Sequence, residues 1–163
     1  MPWLTLLSAV VGAVIATSSA ALLDRFRWRR ERHDRLLGVR RSLYGDYLAC
    51  LSEARNAFRS LARDLDATAT ARERTARDGF AACYGARYQM SITASQEVYE
   101  ASETAFRRLR DVRDLAAAGA APDDAAYEEG RIRYEDALTG LRAAMRRDLG
   151  SDRRTTAPPA PGG

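Results

Sequence analysis

Lysine is absent from this chain, histidine occurs once, and cysteine twice. Every one of the 26 basic side chains is therefore arginine. That bias reads as the composition of a GC-rich genome, with selection for guanidinium chemistry as the weaker alternative. The single histidine, His33, lies among arginines that disfavour its charged form, with no serine, cysteine or carboxylate arranged beside it. A surface position is expected for it. Cys50 and Cys83, without helping histidines, do not make a metal site. A disulfide is excluded if the domain lies in a reducing compartment, so both thiols are expected as small core-facing residues. Proline is confined to Pro2, Pro122, Pro158, Pro159 and Pro161, so no proline breaks a helix between residues 3 and 121. Gly-rich phosphate loops, HExxH, CxxC, GxSxG and paired acid motifs are all missing. The expectation is a non-enzymatic protein with no cofactor and no metal.

Charge is the next absence, and it is local. Trp3 to Leu23 contains no ionisable side chain, and as a helix it would span roughly 31 Å, close to the hydrocarbon thickness of a bilayer. Its nine Leu, Val and Ile residues supply on the order of −3 to −5 kcal/mol of insertion free energy. Thr5, Ser8, Gly12 and the Thr17-Ser18-Ser19 run subtract from that. Trp3 and Trp28 bracket the run where indole rings prefer the membrane interface. A cleavable signal peptide is the rival reading, because Ser18-Ser19-Ala20 and Ser19-Ala20-Ala21 carry small residues at cleavage spacing. In that case the product is a secreted helical protein. Against it, Met1-Pro2 has no basic residue and all the positive charge follows the apolar run.

That charge is Arg25, Arg27, Arg29, Arg30, Arg32, Arg35, Arg40 and Arg41, set against Asp24, Glu31 and Asp34, a net +5. The whole chain carries +4, so the remainder sums to −1. Arginines on the C-terminal flank alone predict a single-pass cell-membrane protein with its N-terminus outside and its C-terminal domain cytoplasmic. Basic character confined to a juxtamembrane stretch favours anionic lipid headgroups and argues against nucleic acid. Arg25, Arg27, Arg29, Arg30 and Arg32 are the headgroup candidates, each worth roughly 1 kcal/mol where it reaches the surface. The competing reading makes them a topology signal only.

The domain expectation is a transmembrane anchor over 1–23, a basic juxtamembrane segment over 24–41 and a cytoplasmic helical bundle over 36–149. A disordered tail, 150–163, follows. The fold class is all-α, an anchor helix followed by an antiparallel three-helix bundle or coiled coil, with helices at about 24–66, 71–117 and 123–149. Leu37, Tyr44, Leu51, Phe58 and Leu65 recur every seven residues, with Tyr47, Ala54 and Leu61 three residues after their partners. Asp66 to Thr70 reads as a turn, and Thr70-Ala71-Arg72-Glu73 has capping-box spacing. Phe80, Tyr84, Tyr88, Ile92, Ser95, Val98, Ser102, Phe106, Leu109, Val112 and Leu115 then continue at three- and four-residue spacing as one helix. Pro122-Asp123-Asp124 starts the last helix, which buries Tyr127, Tyr134, Leu138, Leu141, Met145 and Leu149 before Gly150. Folding at Thr68 would bring Arg107, Arg108, Arg110 and Arg113 back toward the headgroups. It also opposes Cys50 to about residue 86, one turn from Cys83.

Two further patterns weigh function against ordinary structure. Ser8, Gly12, Ala16 and Ala20 share one face of the apolar run, as small residues do where two membrane helices approach. That pattern allows a homodimer but is common in alanine-rich spans. Glu97, Glu100 and Glu103 line a helix flank, where a solvated face paired with Arg107 or Arg108 is the better reading than a cation site.

The junction Asp24-Arg25-Phe26-Arg27-Trp28-Arg29-Arg30 and the segment Arg40-Arg41-Ser42-Leu43-Tyr44-Gly45-Asp46-Tyr47-Leu48 carry a resemblance. Over roughly the first sixty residues the chain resembles small uncharacterised single-pass membrane proteins of high-GC actinobacteria. The resemblance implies a source and supplies no activity. The leading functional expectation is a membrane-tethered helical module that presents a coiled-coil surface to a protein partner. The alternative is a dimerising regulatory or sensory membrane component.

Overall fold

The computed structural model describes the backbone of residues 3–150, and the side chains of Trp28, Glu31, Arg32 and of residues 34–150. Among the described residues there are five helices: α1 (Trp3–Arg63), α2 (Ala69–Asp78), α3 (Ala81–Thr93), α4 (Gln96–Ala117) and α5 (Ala125–Asp148). The chain divides into two compact units, Met1–Val39 and Arg40–Gly163. Among the described residues no helix is long and apolar enough to cross a membrane. The Trp3–Leu23 run, on which the anchor expectation rests, lies outside the residues described with their side chains.

The second unit is all-helical, as expected, but it is built from four rods and not three. The 71–117 helix is the segment that changes: it is interrupted at Gly79-Phe80 and again at Ala94-Ser95. At the first break Gly79 and Phe80 remain near helical geometry, so the chain bends and does not reverse. A Cβ on Gly79 would lie 2.6 Å from Phe58 Cε1, so glycine here lets the bend seat against the core. At the second break Ala94 (ψ 159°) and Ser95 (ψ 158°) are both extended, and the chain turns back on itself. α2 with α3 therefore make one bent rod, and α4 makes the next.

Side-chain contacts fix the directions. Tyr47 Oη donates to Ser102 O, and Arg72 Nη1 joins Leu61 O to Ala116 O, so α4 runs parallel to Arg40–Arg63 of α1. Phe80 packs on Phe58 with ring centroids 5.0 Å apart, and Arg40 Nε donates to Thr93 O at 2.9 Å, so α2–α3 runs antiparallel to it. Arg40 and Tyr44 reach Asp148 at the end of α5, which makes α5 antiparallel as well. The order is up-down-up-down, the topology that short connections impose on a four-helix bundle. Arg107 to Arg113 consequently stand toward the Leu61 and Ala116 end of the bundle, opposite Arg40. They do not return to the Arg40 end as the three-helix reading required.

The core follows the predicted α1 seam: Tyr44, Tyr47, Leu51, Ala54, Phe58 and Leu61 are buried. Phe80, Phe106, Leu109, Tyr134 and Leu141 meet them from the other rods. Leu65 falls beyond the end of α1 and is exposed, so the heptad stops at Phe58. The α2 cap is Thr68 and not Thr70: its Oγ1 accepts from Ala71 N at 3.3 Å. α4 and α5 end at Gly119 (φ +92°) and Gly150 (φ +68°), left-handed positions that glycine occupies without a Cβ penalty.

Candidate functional site

Three arginines on one stripe of α1 provide the most distinctive surface of the bundle. Arg55, Arg59 and Arg63 follow at four-residue spacing, so their guanidinium groups share a face. Like charges so arranged repel, and no acid stands three or four residues from Arg55 or Arg59 to relieve them. They line a cleft of about 310 Å³ between α1 and α5, with Arg131, Glu135, Tyr127 and Tyr134 opposite and Val112 and Pro122 as apolar wall. Glu135 is the one acid in the lining, and it is engaged by Arg131 Nη1 at 2.9 Å. Among the described residues no carboxylate pairs with Arg55, Arg59 or Arg63.

Two of the lining residues, Tyr134 and Arg55, each hold a buried donor without a partner. Tyr134 is 1% exposed and its hydroxyl makes no hydrogen bond; Arg55 is half-buried, and its Nε is buried and likewise unbonded. Each carries an N–H or O–H proton with no acceptor, so an acceptor is what each lacks. Burial pushes the Tyr134 phenol up to about 12 despite the nearby Arg55 and Arg142 charges, so it stays a donor at neutral pH.

The remaining polar clusters are internally satisfied. Arg87 donates from Nε and Nη2 to Glu103 at 2.7 Å each, a bidentate pair that holds the Glu103 carboxyl below its ordinary value. Glu97 pairs with Arg147 and Glu100 accepts from Gln96, so this flank is bonded to α3, α5 and its own first turn, with Arg107 reaching only the Glu103 carbonyl. Tyr44 Oη donates to Asp148 Oδ2 at 2.6 Å, beside the Arg40–Asp148 ion pair. Cys50 and Cys83 are free thiols; Cys50 Sγ donates to Ala82 O at 3.6 Å. Burial pushes the Cys83 thiol up to about 12, and the Cys50 thiol up as well, which disfavours the nucleophilic thiolate.

Burial likewise raises Tyr44, Tyr47 and Tyr127 above the ordinary phenol value, with the Asp148 hydrogen bond as the second cause at Tyr44. The folded chain thus holds these protons more tightly than the unfolded chain. Their contribution to stability is complete below about pH 8.5 for Cys83 and about pH 10 for the phenols, and is lost as pH rises beyond. In an alkaline titration, phenolate absorbance from these tyrosines is expected to develop together with loss of helical circular dichroism. Complete phenolate formation with helix signal intact would show that the phenols are not held by the fold.

Of the predicted membrane-facing residues, Trp3, Ser8, Gly12, Ala16, Ala20, Arg25, Arg27, Arg29 and Arg30 lie outside the residues described with their side chains. Trp28 and Arg32 are described and both are exposed. They share one side of α1 with Glu31, Arg35, Leu36 and Val39, with Glu31 paired to Arg35; the sequence reading placed headgroup residues as far as Arg32 and did not single out Leu36 and Val39. Elsewhere, Tyr84, Tyr88 and Ile92, expected in the core, point outward from α3 at 53%, 73% and 72% exposure. The inward face of α3 is Cys83 and Met90.

Comparison with known proteins finds no matching family model, no similar curated protein and no similar solved structure.

Proposed function

We propose that the chain is a membrane-anchored, non-enzymatic helical module, N-terminus outside, whose cytoplasmic bundle offers a docking surface to a protein partner. The observation that carries this reading is the uncharged run Trp3–Leu23 followed by eight arginines before residue 42. The exposed surface of Trp28, Glu31, Arg32, Arg35, Leu36 and Val39 supports it: Glu31 offsets Arg35, and the indole, the aliphatic groups and the Arg32 guanidinium that remain suit the headgroup boundary. The docking surface is the outward face of α3, where Tyr84, Tyr88 and Ile92 form a four-residue-spaced apolar ridge. An amphipathic helix of a partner protein fits such a ridge. Thiols and buried phenols held protonated favour binding over nucleophilic chemistry.

Cell fractionation with protease accessibility tests the tether. The expected result is membrane sedimentation that resists high salt, with a C-terminal tag digested only after permeabilisation. A soluble chain, or a tag digested in intact cells, overturns it. A photocrosslinker at Tyr88 is expected to give a discrete adduct in native membranes that Ile92→Glu abolishes, while one at exposed Asp136 gives none. Equal labelling from both positions would sink the α3 surface.

A further inference from the structure

The arginine cleft is not used by a tethering or docking function, and its arrangement is costly without a ligand. Three unpaired guanidinium groups repel one another along α1, and two buried donors have no acceptor. Each cost is removed by the same chemistry, a multiply charged anion rich in acceptor oxygens. A carboxylate supplies one charge and two oxygens; a phosphate monoester supplies up to two charges and three terminal oxygens, matching the donor set better. A volume of about 310 Å³ sits at the lower end of small-molecule sites, and Val112 with Pro122 gives an apolar wall that inorganic phosphate would not use.

We propose that this cleft binds a small organic phosphate, its phosphate oxygens accepting from Tyr134 Oη and the Arg55 guanidinium, with Arg59 and Arg63 closing the charge at the rim. The organic part lies against Val112 and Pro122. The phosphate monoester belongs either to a soluble metabolite or to a lipid headgroup; the recognition chemistry is the same.

The test is titration calorimetry on the full-length chain in mild detergent, with glycerol 3-phosphate as probe and acetate at matched ionic strength as control. Saturable binding of glycerol 3-phosphate and none of acetate is expected. Arg55→Gln and Tyr134→Phe should each weaken it about tenfold or more, since each removes a charge-assisted or buried donor. Arg108→Gln, on the exposed side of α4, should leave it unchanged. Tyr134→Phe carries a second readout. Its hydroxyl has no partner in the free protein, so the variant should keep or raise the unfolding temperature while losing the ligand. A merely structural tyrosine would instead lower it.

Vesicles distinguish the source. The juxtamembrane arginines bind any anionic surface, so the measure is preference for phosphatidic acid over phosphatidylglycerol, a diester of otherwise similar headgroup position. A preference that Arg55→Gln abolishes assigns the site to a lipid headgroup; soluble binding without preference assigns it to a metabolite. Absence of both, or binding that survives Arg55→Gln and Tyr134→Phe, overturns the proposal, as does a destabilised Tyr134→Phe.

Discussion

Replacing Phe80 with alanine is expected to lower the unfolding free energy of the bundle by about 3–5 kcal/mol, the cost typical of deleting a buried phenyl ring. Phe80 is completely buried at the bend between α2 and α3. Its ring lies 5.0 Å from Phe58 of α1 and 4.7 Å from Phe106 of α4, both tilted, and the Arg113 guanidinium sits 5.3 Å above it. One side chain therefore joins three of the four rods, and the tilted pairs add roughly 0.5–1.5 kcal/mol beyond area burial. Collapse around the void is hindered because Gly79 holds the backbone against Phe58. Tyr84→Ala is the matched control: its ring is also near Phe106, at 6.1 Å, but it is largely exposed and should cost far less. Urea unfolding followed by circular dichroism measures both. A Phe80→Ala cost no larger than that of Tyr84→Ala would show that the aromatic triad does not organise the core.

The same residue shows how far the fold could be read from sequence. Phe80 and Phe106 belonged to one unbroken stripe at three- and four-residue spacing, and periodicity identified both correctly as core. It could not reveal that the chain reverses between them. The reversal at Ala94-Ser95 contains neither proline nor glycine, and Ser95 makes no side-chain capping bond. What holds it is a tertiary bond, Arg40 of α1 donating to Thr93 O, beside the local closure of α3 by Ala94 N on Met90 O. By contrast, the ends of α4 and α5 were legible because Gly119 and Gly150 carry the left-handed conformation themselves. The α1 seam was legible for a related reason. Its period-seven pattern is complete within one segment, so no distant residue is needed to interpret it.

α3 is where helical periodicity stops deciding. It carries two apolar faces, Cys83 with Met90 and Tyr84 with Tyr88 and Ile92, both at helical spacing. Spacing alone cannot choose which face turns inward; Phe106 and the aromatic triad do. The arginine cleft divides in the same way. Its α1 half, Arg55, Arg59 and Arg63, was present as an uncompensated like-charge stripe and could have been singled out. Its other half, Tyr134, Arg131 and the Val112–Pro122 wall, comes from residues about 50 to 80 positions away. Tyr134 was expected as an ordinary core tyrosine, and only the four-rod packing leaves its hydroxyl without an acceptor.

Arg72 yields the second large effect. It was expected as an unremarkable member of a capping sequence, yet it is only 8% exposed and its guanidinium donates to four backbone carbonyls. Nε reaches Ala67 O at 3.1 Å, Nη2 reaches Asp64 O at 2.6 Å, and Nη1 is shared between Leu61 O at 3.5 Å and Ala116 O at 3.2 Å. Leu61 and Ala116 lie in the last turns of two parallel helices, α1 and α4, whose carbonyl ends carry partial negative charge. One cation thus caps two helices and ties down the turn into α2. Arg72→Leu keeps an aliphatic stem in the site but removes every donor, and is expected to cost about 3 kcal/mol or more, since hydrogen bonds to a charged group are worth about 1.5–3 kcal/mol each and do not add fully. Leu61, Asp64 and Ala116 each keep one backbone acceptance, which limits the loss. Arg72→Lys retains the charge at the two helix ends but not the planar fork, so it should recover part of the stability and no more. Hydrogen exchange adds the spatial test: amides of residues 64–67 and 118–120 should lose protection before those beside Tyr47 and Leu141. Equal stability of Arg72→Leu and the native chain would show that the carbonyls are served without the guanidinium. Equal loss in the leucine and lysine variants would show that the fork, and not the charge, holds the two helix ends together.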